Sequence, residues 1–366
     1  MRALGKPRPK RGISDPACGG GDLLLAWSKH APVLRSLPRT LERWGKYVSG
    51  SDTQSLFIRA TRARMILAAV AKGATRDHTR VGLDEWFPYL RLGNGLASEI
   101  ASCVPSDIVL NPPFTKMDSP VGCSWGRGKV SAAAVFVDHC IATSPPGTRI
   151  TAILPDVLRS GARYARWRSY VSRATEIINL DVVGRFDPQV EVDVFILRLT
   201  VCEQGRRQHT AAATWCEHTT NAESIRIGDR FHVSVGPVVP HRDPETGPER
   251  PYLHARNALA NGVVAEIDEL RQFAGRVYTP PFVVVRRTSS PSDIRRPVAT
   301  MITEGAPTAV ENHLIVLEPQ DGRIETCAEG MRVLSTSRTR EWLDEEIRCR
   351  HLTVGAVASI PWIGSA

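Results

Sequence analysis

The chain of 366 residues lacks any apolar run of the roughly twenty residues that a bilayer-spanning helix requires. Its N-terminus also lacks the apolar core of a secretory signal. The eight cysteines stand at 18, 103, 123, 140, 202, 216, 327 and 349, with no CxxC pair among them. That scatter fits neither a zinc site nor a disulfide framework, and reduced thiols in a cytoplasmic protein are expected. The ten histidines form no HxH or HExxH pattern, so no metal site is expected. No GK[ST] follows the one glycine cluster, which removes the phosphate-loop signature. No internal repeat is present. Lysine is scarce, because arginine supplies 40 of the 47 cationic residues.

What is present is ordinary globular composition, 42% hydrophobic, in a chain long enough for two domains. Charge is unevenly placed. Residues 1–200 hold 28 Lys+Arg against 17 Asp+Glu, whereas residues 201–366 hold 19 against 21. A basic first half fits a polyanionic partner such as DNA or RNA, although arginine-rich usage also follows from genome composition.

The stretch richest in chemistry is Asp107-Ile-Val-Leu-Asn-Pro-Pro-Phe114. An apolar run stopped by two prolines reads as a buried strand, because proline cannot continue a central ladder. Asn111 then lies at the carboxyl end of that strand, where open α/β sheets place ligands. An amide oxygen and the Pro112 carbonyl can accept the two N–H bonds of a conjugated amine, and Phe114 offers a flat face to a base. Such a tetrad acts by positioning and preorganised dipoles, with no covalent intermediate. The competing reading is a plain strand-ending turn.

Upstream, Ile13-Ser14 leads into Asp15-Pro-Ala-Cys-Gly-Gly-Gly-Asp-Leu-Leu24. Three glycines between a short strand and an apolar helix suit close backbone approach to a ligand, or simply a turn. A second acidic strand end follows at Tyr47-Val-Ser-Gly-Ser-Asp52, placed to accept ribose hydroxyls or to cap the next helix. That helix is predicted over 53–72, with Leu56, Ala60, Ala63, Leu67 and Val70 as its buried stripe and Gly73 as its cap. Residues 85–96 form another apolar stretch, ending in Gly93-Asn-Gly-Leu96. Residues 115–130 read as a mobile loop. A helix over 131–142, a strand over 150–154, an arginine-rich helix near 160–173 and strands over 176–183 and 192–201 complete the first domain. This alternation of strands and helices predicts a doubly wound sheet closed by a hairpin-like strand pair. Beyond residue 203 the pattern becomes mixed α+β, with a helix expected over 264–273, strands over 282–287 and 314–317, and a helix over 339–348.

Taken together, DPACGGGDLL, the acidic residue of GSD and DIVLNPPF resemble the adenine-N6 DNA methyltransferases of the class I S-adenosylmethionine-dependent fold. The order, cofactor loop before NPPF and extra domain last, is similar to the gamma arrangement with its C-terminal target-recognition domain. The resemblance covers roughly residues 12–200 and implies a catalytic, S-adenosyl-L-methionine-binding domain over 1–202 and a DNA target-recognition domain over 203–366. The latter is suggested by position, size and phrases such as Val310-Glu-Asn-His-Leu314. Carried over residue by residue, Asp15, Pro16, Ala17, Cys18, Gly19 and Gly21 would wrap the cofactor and Asp52 would bind its ribose. Asn94 would meet its adenine. Asn111, Pro112 and Pro113 would hold the target amine, and Phe114 would stack on the base. Phe186 stands where the family keeps a second aromatic, although an ordinary core phenylalanine reads the same way.

Two departures are visible. The family usually has Asp where Asn94 stands. Family members also carry a TP-containing segment before the first strand, and the 14 residues ahead of Asp15 do not match it. The resemblance implies methyl transfer to adenine N6 of double-stranded DNA by base flipping, in a restriction-modification or defence setting. Expected partners are DNA, a restriction or specificity subunit, or a chain supplying the absent segment. The alternatives are a non-catalytic or split DNA-binding subunit, and methylation of RNA adenine or of a protein amide. In the last domain Arg286, Arg287, Arg295 and Arg296 are candidates for phosphate or guanine contacts.

Overall fold

The computed structural model describes residues 11–75, 83–97, 106–187, 190–203, 215, 225–288, 296–347 and 351–362. Backbone contacts divide the chain into two compact units, Met1–Arg159 with Arg163–Trp215, and Ser160–Ala162 with Cys216–Ala366.

The first unit runs β1 (Gly12–Asp15), α1 (Asp22–Ser28), α2 (Leu37–Tyr47), β2 (Val48–Asp52), α3 (Ser55–Ala71), α4 (Leu83–Trp86), β3 (Leu90–Leu92) and β4 (Ser106–Leu110). It continues with β5 (Lys116–Asp118), β6 (Lys129–Ser131), α5 (Ala132–Thr143), β7 (Arg149–Pro155), α6 (Val157–Ser160), α7 (Ala165–Ala174), β8 (Thr175–Asp187) and β9 (Val190–Val201). Seven of these strands form one sheet in the order β3-β2-β1-β4-β7-β9-β8. The first five are parallel, while β9 runs antiparallel to β7 and β8 antiparallel to β9. The chain therefore winds outward from β1 to β3, returns to β4, and winds the other way. This is the doubly wound α/β sheet expected from the sequence, and its direction reverses between β1 and β4.

Both faces of the sheet are covered. On β4, Ile108 and Leu110 join a core made with α5, α7, β7 and β9, whereas Val109 joins a second core with α1, α2 and α3. Alternate side chains serving two cores explain why 108–110 is apolar without interruption. The sequence reading passed over α2. Ser36 caps it by accepting from the Arg39 N–H, Pro38 lies in its first turn, and Trp44 is buried with its indole N–H on the Pro32 carbonyl at 3.0 Å.

Two local expectations are overturned in this unit. The buried stripe of α3 is Ile58, Thr61, Met65 and Ala69, while Leu56, Leu67 and Val70 are exposed. The helix is apolar almost all round, so hydrophobicity alone does not fix its rotation. Polar ties do: Thr61 Oγ1 donates to the Gly19 carbonyl at 2.9 Å, and Arg62 donates to the Leu90 carbonyl at 2.6 Å. Residues 115–130, read as a mobile loop, belong to the two-stranded hairpin β5–β6, which runs to Ser131 and is closed by the Ala132 N–H on the Thr115 carbonyl at 2.9 Å.

The second unit is the expected mixed α+β body. A five-stranded sheet has the order Phe231–Val235, Leu314–Pro319, Phe282–Arg286, Ala299–Ile302, Gly262–Val264, and only the last pairing is parallel. Val283, Val285, Ile315 and Leu317 pack with residues of helices Ile324–Ser335 and Ser337–Glu346, and Phe282, Val284, Leu314 and Val316 form a core on the other face. The helix expected over 264–273 is absent. Leu270–Gln272 is a strand paired with Glu249–Pro251, and Arg271 is held by Glu245 at 2.8 Å and the Asp243 carbonyl at 2.9 Å. Cross-strand pairing and these charge contacts outweigh the helical pattern of a short polar segment.

Among the described residues no helix is long and apolar enough to cross a membrane, and no cluster of His, Cys, Asp and Glu is arranged to hold a metal. The described cysteines 18, 123, 140, 202 and 327 are free thiols.

Candidate active site

The reversal between β1 and β4 brings two sequence motifs to neighbouring strand ends. Gly12–Ser14 of β1 pairs with Ser106–Ile108 of β4, so both chains leave the sheet side by side at Asp15 and Asn111. On the other flank Ile13–Asp15 pairs with Val48–Gly50 of β2, which delivers Asp52 to the same edge.

The loop after β1 is held by backbone and carboxylate bonds. Asp15 is buried and its Oδ1 accepts from the Ala17 N–H at 3.1 Å. The Cys18 N–H donates to the Ser51 carbonyl at 3.0 Å, and Gly19 N–H donates to Asp52 Oδ2 at 3.1 Å. The other Asp52 oxygen accepts from Gln54 N–H at 2.8 Å, so the carboxylate anchors both the loop and the entry to α3. Each carboxylate oxygen keeps a further lone pair for a hydroxyl donor. Glycine is required at 21, where φ is +81° and a Cβ would lie 2.5 Å from the Thr61 methyl. Burial pushes the Asp15 carboxyl up to about 7, the Ala17 N–H opposes this, and the nearby Asp52 charge adds to it. Burial, followed by the charges of Asp15 and Asp52, pushes the Cys18 thiol up to about 12 and keeps it protonated.

The third strand end comes close as well. Gly93 N–H donates to the Asp52 carbonyl at 2.9 Å. A Cβ on Gly95 would sit 1.9 Å from the Pro16 carbonyl oxygen, so the 93–96 turn lies directly against the glycine loop. Asn94 is exposed, and its side-chain oxygen accepts from Leu96 N–H at 3.0 Å, leaving its amide N–H bonds free to donate.

At the end of β4, Asn111 and Pro113 are exposed, Pro112 is buried and Phe114 is half-buried against the α5 core. Among the described residues the Asn111 side chain has no hydrogen-bond partner. Phe186 comes from far along the chain, yet its ring lies 5.7 Å from that of Phe114, edge to face at 74°. Register shifts in β8 at Val182/Gly184 and Arg185/Asp187 surround it, and Gly184 has a φ of +88°. Bulges of this kind re-aim side chains at strand ends. Phe186 is 43% exposed, so it is not a core residue.

All thirteen residues that the resemblance assigns to the cofactor and base sites are described, and they gather at the carboxyl ends of β1, β2, β3 and β4 and on β8. Sequence reasoning missed those that brace the loop from outside. Ser51 Oγ donates to the Pro16 carbonyl at 3.1 Å, Thr61 holds Gly19, and Arg64 donates to the Gly20 carbonyl and to Asp22 at 2.7 Å. A threonine on a helix that otherwise buries apolar groups was the available signal for Thr61. In the second unit Arg296 is buried, donating to the Ile347 carbonyl at 2.7 Å, which removes it as a surface contact for nucleic acid. Arg286 and Arg287 are half-buried with carbonyl partners at Ala258 and Asn312, and Arg295 lies outside the described residues.

No family model matches the chain, and no curated protein does. Solved structures similar to it include a protein from Listeria monocytogenes assigned to the class I S-adenosylmethionine-dependent methyltransferases. It is 18% identical over 56% of this chain and 57% of its own, with a TM-score of 0.37. The M protein of the type I restriction enzyme EcoKI is 17% identical over 53% of this chain and 40% of its own, with a TM-score of 0.38. The type IIG restriction endonuclease BpuSI is 12% identical over 99% of this chain and 57% of its own, with a TM-score of 0.42. The chain thus spans about half the length of these proteins.

Proposed function

We propose that the chain transfers a methyl group from S-adenosyl-L-methionine to the N6 amine of adenine in double-stranded DNA, with the base turned out of the helix. The observation that carries this reading is the juxtaposition at one sheet edge of the Asp52-anchored glycine loop and the exposed Asn111-Pro112-Pro113-Phe114 segment. The donor set suits a nucleoside cofactor. Asp52 has lone pairs left for ribose hydroxyls, and the glycines leave the loop backbone open, since a Cβ on Gly19 would meet nothing within 4 Å. When bound, the cofactor supplies an electrophilic methyl group.

The chain's own residues do the rest by positioning. The Asn111 side-chain oxygen and the Pro112 carbonyl accept the two N–H bonds of the target amine, drawing its lone pair out of conjugation with the ring. Phe114 and Phe186 form the walls of the base site. The base enters by parting two rings that otherwise rest edge to face, and stacking returns on the order of 1–3 kcal/mol towards the cost of extrusion. The second unit, Cys216–Ala366, is assigned to target recognition, and a restriction-modification or defence system is the fitting setting.

The test is digestion of duplex DNA after incubation with the chain and cofactor, followed by mass spectrometry for N6-methyladenine. Asn111→Ala is expected to abolish the product while cofactor binding persists. Methylation of RNA or of glutamine amides with none on DNA would replace the substrate. Cofactor binding without any acceptor would favour a non-catalytic subunit, and no cofactor binding would point to a missing partner chain.

A further inference from the structure

Beyond the base site, the first unit carries a cleft of about 400 Å³ whose lining includes Cys123, Trp125, Arg127, Arg163, Tyr164 and Arg166. Among the described residues no carboxylate lines it. The aromatic polar atoms are already engaged: the Trp125 indole N–H donates to Asp138 at 2.8 Å, and the Tyr164 hydroxyl accepts from the Ser131 N–H at 3.0 Å. Asp118, the acidic residue of the hairpin, pairs with Lys129 at 2.9 Å. Arg163 spends one N–H on the Lys129 carbonyl. Arg127 and Arg166 are exposed and have no partner among the described residues. What remains for a ligand is therefore a set of guanidinium donors on rigid aromatic walls, which is a site for an anion with several acceptor oxygens.

Its place in the chain says which anion. The hairpin β5–β6, whose connection carries Arg127, starts two residues after Phe114, and both Phe114 and Met117 pack on the same core as Cys123 and Trp125. A single phosphate group is smaller than this cleft, whereas a sugar with its phosphodiester is of fitting size. We infer that Arg127, Arg163 and Arg166 bind the phosphodiester backbone of the strand that carries the target base. This rests on the proposed nucleic-acid substrate. It adds a site that fixes register on the strand without reading sequence.

The probe is a fluorescein-labelled random duplex, titrated by anisotropy at several NaCl concentrations. For Arg127→Ala/Arg166→Ala the expected results are an affinity about tenfold lower and a salt slope shallower by about one to two. Affinity for S-adenosylhomocysteine by calorimetry should stay unchanged, showing that the fold is intact. The single Arg127→Gln should show a smaller loss in the same direction. Arg39→Ala/Arg43→Ala, which removes two exposed arginines from α2, should leave both readouts nearly unchanged. Equal losses in the two double variants would overturn the inference, because net charge alone would then explain them. So would an unaltered duplex slope with lost binding of adenosine monophosphate, which would assign the cleft to a free nucleotide. Duplex binding that depends on these arginines without any methyl product would retain the cleft and remove the catalytic reading. Methylation with unaltered binding in the variant would do the reverse.

Discussion

The Gly19 N–H donates to the Asp52 carboxylate at 3.1 Å across 33 residues of sequence, tying the loop after β1 to the end of β2. The same carboxylate receives the Gln54 N–H at the start of α3. One side chain thus ties the glycine loop to the start of α3 and keeps lone pairs for further donors.

Asp52→Ala removes the loop anchor and, on the proposed function, the ribose acceptor with it. Cofactor affinity is expected to fall by about 1.5–3 kcal/mol, the scale for hydrogen bonds to a charged group. Asp52→Asn keeps one acceptor oxygen and should lose less. Titration calorimetry with S-adenosylmethionine measures both, and undiminished affinity in the alanine variant would remove the ribose from this position.

Asp15 gives a pH dependence of stability. Its folded carboxyl titrates at about 7, against an ordinary value of 3.8, because burial disfavours the charge. The folded state therefore holds the proton more tightly than the unfolded state. Its stabilising contribution is complete below the ordinary value and is lost as pH rises through about 7. Asp15→Asn should abolish that dependence, so the variant's Tm should gain on the wild type between about pH 5 and pH 8. Parallel Tm profiles would show that Asp15 does not titrate in this window.

Phe186→Ala should lower kcat/KM on duplex DNA by about 1–3 kcal/mol, the value of one stacking contact. The loss should shrink when the target adenine is mispaired, because a mispaired base costs less to extrude. A side chain 43% exposed contributes little to the core, so denaturant midpoints should stay close to the wild type. A rate deficit independent of pairing would argue against a wall of the base site.

Asp156 and Arg159 form an ion pair at 2.6 Å with both side chains almost fully buried. Asp156→Ala removes a buried carboxylate partner of the Arg159 guanidinium and is expected to cost about 3–5 kcal/mol in urea unfolding. A loss below 1 kcal/mol, about the level of an exposed pair, would mean that water reaches Arg159 in the variant.

The doubly wound sheet was legible because strands such as β4 and β7 are short apolar runs that end at or just ahead of proline, and β4 is buried on both faces. The glycine loop, Asp52 and the Asn111 tetrad were legible for the same reason, since local chemistry marks strand ends. The rotation of α3 was not, because a helix with apolar residues on every side presents no unique face. The strand at Leu270–Gln272 was not, because its partner at Glu249–Pro251 lies about twenty residues earlier and no local pattern announces the pairing.

By itself, then, the sequence determined where β1, β2 and β4 stop and so which side chains stand at those strand ends, whereas β8 runs past the expected 183 to Asp187. Those three ends are set by local chemistry: Pro16 and Pro112 cannot continue a ladder, and the Asp52 side chain accepts from the Gln54 N–H two residues on. Only the tertiary structure decided which of those ends are neighbours, that Phe186 meets Phe114 across 72 residues, and that Arg127 and Arg166 have no partner among the described residues while Arg296 is buried. Those outcomes depend on strand order, bulges and desolvation, which are properties of the assembled sheet and not of any segment within it.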